Sequence, residues 1–266
     1  MRQRPIGIFD SGLGGLTVLK AVQRLLPNEN IIYYGDTAHV PYGSKSKKTV
    51  TDYSLAIADF LTGRHIKLLV IACNTASASA ADILKKHLSI PVTGVIVPGA
   101  QAACRASGTG RIAVIGTEAT IRSGAYDKAI RKISKTARVF NKACPLLVPL
   151  VEEGWWNDDI TDLTARKYLE PLRGCGADTL ILGCTHYPVI RPVIQRAIGG
   201  GVTLVDSAEA TAAAVRDMLR AQSLLRRSSG GRTAFYASDD PVRFARLAKN
   251  ILGRPVAKVN LKKLAN

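Results

Sequence analysis

The chain has 266 residues, 47% of them hydrophobic, and its 37 Lys and Arg against 20 Asp and Glu leave a formal charge of +17. That combination describes a folded protein with a strong basic bias and excludes a disordered polycation. No apolar run reaches the roughly 18 residues of a membrane span, and Met1-Arg-Gln-Arg-Pro leads straight into a short apolar segment. Neither a spanning helix nor a signal h-region is expected, which points to the cytoplasm.

Short apolar runs alternate with longer stretches of helical spacing. In chain order the runs are Pro5 to Phe9, Ile31 to Tyr34, Leu68 to Ala72, Val92 to Ile96, Ile112 to Ile115, Leu146 to Leu150, Thr179 to Leu182 and Val202 to Val205. Between most of them apolar residues recur at about i, i+3 and i+4, as in Leu16, Leu19, Val22 and Leu25. Strands buried on both faces and joined by crossover helices predict an α/β protein with mainly parallel sheets.

An internal repeat divides the chain. Ile8-Phe9-Asp10-Ser11 resembles Val114-Ile115-Gly116-Thr117, Leu69 to Thr75 resembles Leu180 to Thr185, and Val95 to Ala100 resembles Leu204 to Ala208. Three near-equal offsets predict two similar α/β domains related by a pseudo-two-fold axis, with a cleft between them. The first would hold residues 1–97 together with 207–266, and the second residues 98–206. In the returning segment, helices are expected over Ala208 to Leu225 and Pro241 to Leu252, with an exposed loop from Arg226 to Arg232.

The five cysteines, Cys73, Cys104, Cys144, Cys175 and Cys184, are odd in number and include no CxxC pair. This argues for free thiols and against a disulfide framework or zinc knuckle, and no metal site is expected. Cys73 and Cys184 hold the same place in the repeat: each ends an apolar strand and precedes hydroxyl or amide residues able to cap a helix. In open parallel sheets ligands sit beyond the carboxyl ends of the strands, where helix N-termini offer free N–H groups. Those termini should lower the thiols from about 8.5 and give some thiolate near neutral pH. Cys104, Cys144 and Cys175 lack this context and read as packing residues.

Asp10-Ser11-Gly12-Leu13-Gly14-Gly15 follows the first strand. Its glycine spacing matches neither the dinucleotide fingerprint nor a P-loop, and suits a small anion better than a nucleotide. Asp36 and Tyr42 follow the second strand in a loop stiffened by Pro41 and Gly43, His186 stands two residues past Cys184, and Glu152 follows the sixth apolar run. A cysteine protease needs one nucleophile, one base and one oxyanion hole. Two matched thiols facing one cleft suit inversion of a stereocentre, in which one base removes a proton and a conjugate acid returns one on the opposite face.

These motifs, with Tyr34-Gly-Asp-Thr37, Ala72 to Ala78, Val151-Glu-Glu-Gly154, Leu182 to Pro188 and Phe235 to Pro241, resemble the glutamate racemases of the cofactor-independent aspartate/glutamate racemase superfamily over nearly the whole chain. The resemblance implies interconversion of L- and D-glutamate without pyridoxal phosphate or metal, supplying D-glutamate for peptidoglycan. It implies that Cys73 acts on D-glutamate and Cys184 on L-glutamate, that Asp10 and His186 assist the respective thiols, and that Asp36 and Glu152 are further acidic participants. Ser11, Tyr42, Gly43, Asn74, Thr75 and Thr185, with Asp10 and His186, would hold the substrate. A homodimer is expected. Some members carry an N-terminal extension tied to activation by a peptidoglycan precursor; with nine residues before Asp10, that control is not expected here. The nearest alternative substrate is aspartate or another 2-substituted acid.

Charge is the one feature the resemblance leaves over. The last 60 residues carry 12 Lys and Arg against 4 Asp and Glu, including Arg226, Arg227, Arg232, Arg243, Arg246 and Lys249. Nucleic acid or a DNA-handling enzyme such as gyrase is an alternative partner, but aromatic residues are only 6% and no nucleic-acid module is recognisable. A solvated basic surface is the favoured reading.

Overall fold

The computed structural model describes residues 1–264. In chain order its elements are β1 (Ile6–Asp10), α1 (Leu16–Leu25), β2 (Ile31–Gly35), α2 (Lys47–Thr62), β3 (Leu68–Ile71), α3 (Asn74–His87), β4 (Val92–Gly94) and α4 (Ile96–Ala106). There follow β5 (Arg111–Gly116), α5 (Glu118–Arg122), α6 (Ala125–Ile133), β6 (Arg138–Ala143), α7 (Leu147–Glu152), α8 (Asp159–Arg173), β7 (Thr179–Gly183), α9 (Arg191–Ile198) and β8 (Thr203–Asp206). The chain closes with α10 (Ala208–Ala221), β9 (Thr233–Ala237), α11 (Pro241–Leu252) and β10 (Val259–Leu261).

Two sheets result, one of six strands in the order β10-β9-β2-β1-β3-β4 and one of four in the order β6-β5-β7-β8. Every pairing is parallel. The order β2-β1-β3-β4 in the first sheet is repeated as β6-β5-β7-β8 in the second, so the sequence repeat corresponds to a repeated topology. The first sheet is extended at its β2 edge by β9 and β10, from the returning segment.

Alternate residues of each central strand feed opposite faces, as the pleat requires. Ile6, Ile8, Leu68 and Val70 pack under α1, α10 and α11, whereas Phe9, Leu69 and Ile71 pack under α2 and α3. In the second sheet Ala113, Ile115, Leu180 and Leu182 face α7, α8 and α9, and Ile112, Val114 and Ile181 face α4 and α6. Helix ends follow local chemistry: the Ser46 hydroxyl accepts from Thr49 N–H at 3.1 Å at the start of α2. Helix α11 starts at Asp240 and Pro241 and stops at Gly253, whose φ of 74° suits glycine.

Three expectations change. Leu146 to Leu150 is not a strand: Pro145 and Pro149 interrupt any ladder, and the run forms α7, which buries Leu147, Val148 and Val151 against the second sheet. The strand in that place is β6, an edge strand of sequence Arg-Val-Phe-Asn-Lys-Ala that is nowhere fully buried and so carries no apolar run. Strands β9 and β10 were likewise not anticipated, because they too are short and only partly buried.

The segment from Arg226 to Arg232 is a loop, exposed from Arg227 onward as expected, and the half-buried Arg226 side chain donates to Gln3 Oε1 at 2.9 Å and the Asn28 carbonyl at 2.7 Å. No described helix is long and apolar enough to cross a membrane.

Candidate active site

The register of the sheets brings the chemistry to one place. Asp10 pairs with Gly35 at the carboxyl end of β1, and Phe9 pairs with Ile71 just before Cys73. In the second sheet Gly116 pairs with Gly183, which sets Thr117 and Cys184 side by side past their strand ends. These two carboxyl edges enclose a cavity of about 10 Å³, lined by Ser11, Pro41, Tyr42, Gly43, Cys73, Asn74, Thr75, Thr117, Val148, Cys184, Thr185 and His186. That is the room of about one water.

Cys73 precedes the first turn of α3, where its Sγ accepts from Ala76 N–H at 3.4 Å, and it lies 3.6 Å from Ser11 Oγ. The expected lowering of this thiol is not what the closed cavity produces. Burial pushes Cys73 up to about 12, with the Asp10 carboxylate adding to the rise, and the Ala76 and Ser11 contacts offset only part of it. Solvent exclusion outweighs the helix terminus.

The second thiol has different neighbours. Cys184 does not open a long helix; Thr185 and His186 follow, then a 3-10 turn over Tyr187–Ile190, and only then α9. Cys184 Sγ lies 3.7 Å from His186 Nδ1, and His186 Nε2 lies 2.6 Å from Glu152 Oε1 at the end of α7. Burial alone would lower His186, but its contacts with Cys184 and Glu152 prevail and raise it well above 6.5. Glu152 moves the other way: burial opposes its ionisation, and the His186 contact with the nearby Arg243 charge brings it below 4.5. The pair is therefore an imidazolium and a carboxylate near neutral pH.

Three candidate acids stand one layer behind the lining. Asp10 is fully buried; its Oδ2 accepts from Gly12 N–H at 3.0 Å and its Oδ1 from the Thr185 hydroxyl at 3.2 Å. Burial raises it, and the charge of His186 resists. Asp36 accepts the Tyr42 hydroxyl at 2.5 Å and contacts His39 Nδ1 at 2.9 Å, so it orients the tyrosine that faces the cavity. Glu152 backs His186.

Ser11, Tyr42, Gly43, Asn74, Thr75, Thr185 and His186 all reach the lining itself. Thr117 does too, and was not singled out from sequence. Its signal was its alignment with Ser11 in the repeat. Its hydroxyl lies 2.9 Å from that of Thr75 and 3.0 Å from that of Thr120, joining the two lobes across the cavity.

Outside lies a wider recess of about 370 Å³ that shares Pro41, Val148 and Glu152's neighbourhood with the inner cavity. Arg243 of α11 crosses it to Glu153 at 3.2 Å. A larger surface concavity, about 890 Å³ between α3, α4 and α6, contains neither thiol nor His186. Among the described residues no group of three or more His, Cys, Asp or Glu is arranged to hold a metal ion.

Residues 6–215 match the Asp/Glu/Hydantoin racemase family, and the chain belongs to that family. It is thus an enzyme of the amino-acid racemase class, an isomerase. The particular relatives are glutamate racemases. One from Geobacter metallireducens is 55% identical over 97% of this chain and 96% of its own. A glutamate racemase isoform from Bacillus anthracis superposes with a TM-score of 0.97 at 38% identity, covering 99% of both chains. The Francisella tularensis glutamate racemase in complex with D-glutamate does so with a TM-score of 0.93 at 36% identity, over 99% of this chain and 98% of the other.

Proposed function

We propose that the protein interconverts L- and D-glutamate by proton transfer between Cα and two thiols, Cys73 and Cys184, with no organic cofactor. The observation that carries this reading is that one thiol from each repeat lines the same closed cavity. The substrate follows from the relatives, which are glutamate racemases along their full length.

In the L-to-D direction Cys184, whose Sγ lies 3.7 Å from His186 Nδ1, acts as the base: its sulfur takes the Cα proton and forms an S–H bond. The electron pair of the broken C–H bond is left on Cα and its carboxylate. Cys73, held as a thiol by burial, gives its proton to the opposite face and becomes thiolate. Protons balance, and the reverse reaction exchanges the roles. Asp10 and Asp36 act by holding Thr185 and Tyr42. Neutral donors such as Thr75, Thr185 and the Asn74 amide receive the two carboxylates in a site from which water is excluded.

The same reading divides the chain into units of residues 1–97 with 207–266, and 98–206; Ala265 and Asn266 lie outside the described residues. The resemblance adds a cytoplasmic homodimer that supplies D-glutamate to peptidoglycan.

The test is replacement of each thiol by serine. Positioned acid or base catalysis is worth about 10²–10⁴-fold, so Cys73→Ser and Cys184→Ser should each lose at least about 10²-fold in racemisation followed by circular dichroism. Exchange of the α-proton in D₂O should survive from one enantiomer only, a different one in each variant. Full racemisation by either variant would overturn the mechanism, and turnover of L-aspartate in place of L-glutamate would overturn the substrate.

A further inference from the structure

We infer that Tyr126, a residue of the second lobe, is a positioning residue that holds the Asn74 amide with its NH₂ group toward substrate. The inference rests on the glutamate-racemase reading above. Asn74 lines the cavity next to Cys73. Its Nδ2 is buried and has no hydrogen-bond partner among the described residues, whereas its Oδ1 accepts the Tyr126 hydroxyl at 2.7 Å. A buried amide donor left unpaired costs free energy, and a carboxylate oxygen of the substrate is the acceptor that repays it.

An asparagine amide can turn over, exchanging its oxygen and nitrogen. Turned over, it would point Oδ1 at a carboxylate and repel it. Tyr126 prevents this because a phenol must place its own proton. The residue is 2% exposed, and among the described residues the acceptor of its hydroxyl is Asn74 Oδ1. Burial also raises Tyr126, with Cys184 and Asp206 adding to the rise, so the proton stays on oxygen at any working pH. If the amide turned, that proton would be stranded.

The ring is seated for this task. A Cβ on Gly183 would come within 3.1 Å of Tyr126 Cε2, and one on Gly99 within 3.2 Å of its hydroxyl. Two glycines therefore leave the space that the ring occupies, one of them directly before Cys184. Tyr126 in this way links the strand end bearing one thiol to the residue following the other.

The experiment is Tyr126→Phe, which keeps the ring and removes the proton, measured alone and with Asn74→Ala. Hydrogen bonds to charged groups correspond to about tenfold or more in binding. Tyr126→Phe should raise KM for both enantiomers about tenfold while kcat falls less than about threefold and Tm holds. In the Asn74→Ala background the same substitution should change KM less than about twofold. An unchanged KM in Tyr126→Phe would overturn the inference, as would equal losses in both backgrounds, which would mean the hydroxyl serves packing alone. If Tm falls sharply in Tyr126→Phe, the ratio of KM changes in the two backgrounds still decides, since both carry the same packing defect. Absence of glutamate racemisation in the unaltered protein would instead refute the proposed function.

Discussion

Gly14→Ala tests how closely the lobes must meet. Gly14 lies in the turn after β1 and is not among the residues with positive φ, so alanine brings no backbone strain. Its Cβ would overlap Thr185 Oγ1 and stand 2.7 Å from His186 Nδ1 and 2.9 Å from His186 Cε1. Carbon contacts relax at about 3.5–4.0 Å, so something must move by about 1 Å. Neither neighbour can simply rotate away: Thr185 bonds Asp10, and His186 is engaged at both ring nitrogens. The relief is therefore a displacement of the Cys184 loop from the first lobe. A misplacement of about 1 Å costs about 10²-fold in rate, and overpacking costs about 1–3 kcal/mol. For a protein of this size that is a Tm loss on the order of 2–10 °C. Initial rates by circular dichroism and Tm by calorimetry measure both. Gly12→Ala is the control: its Cβ would meet Glu152 Oε1 and Val40 Cγ2 at 3.4 Å, an ordinary contact, and should leave the rate within about twofold. A Gly14→Ala enzyme with unaltered kcat and Tm would refute the close packing of Gly14 against the Cys184 loop as a requirement for turnover.

The Glu152 and His186 pair makes stability depend on pH with a definite sign. A raised histidine contributes fully below 6.5 and loses that contribution as pH rises through its folded value, whereas a lowered glutamate contributes fully above 4.5 and loses it as pH falls through its folded value. The stability gap between the protein and Glu152→Gln, read from urea melts, should thus be widest between about pH 4.5 and 6.5 and narrow on both sides; a gap independent of pH would contradict the assignment. Far from the cavity, Lys67 and Glu29 form an ion pair with side chains 0% and 1% exposed, and the Lys67 ammonium also donates to the carbonyls of Arg2 at 2.8 Å and Leu224 at 2.9 Å. Removing one charge should cost about 3–5 kcal/mol, and removing both should restore a large part of it. Denaturant melts of Lys67→Met and Lys67→Met/Glu29→Leu check this, and a single variant within about 1 kcal/mol of the parent would show that the pair is not a clasp.

Much of the architecture was legible because central parallel strands are buried on both faces and appear as unbroken apolar runs. Seven of those runs are strands, and the residues that follow them carry the chemistry. Legibility failed where burial was one-sided or incomplete. β6 alternates with Arg138, Asn141 and Lys142, and β9 and β10 lie toward a sheet edge, so none displays the pattern. Helix α7 failed in the opposite sense: it is apolar up to Glu152, on its exposed Pro149 side as well as on the side that packs against the second sheet, and periodicity cannot separate so short an apolar helix from a strand.

The site divides along the same physical line. Cys73, Cys184 and their flanking hydroxyl and amide residues could be placed at strand ends from sequence, because strand, turn and helix start are local events. Partnership is not local. Thr185 reaches Asp10 across 175 residues, Tyr126 reaches Asn74 across 52, and Glu152 reaches His186 across 34. The two thiols, matched in sequence, acquire different surroundings: a carboxylate and a serine at Cys73, an imidazolium at Cys184. The sequence by itself determined which residue types stand at the carboxyl edges of two repeated sheets. Only the tertiary structure decided which of them meet and how they ionise, because dehydration and charge pairing are set by both lobes together.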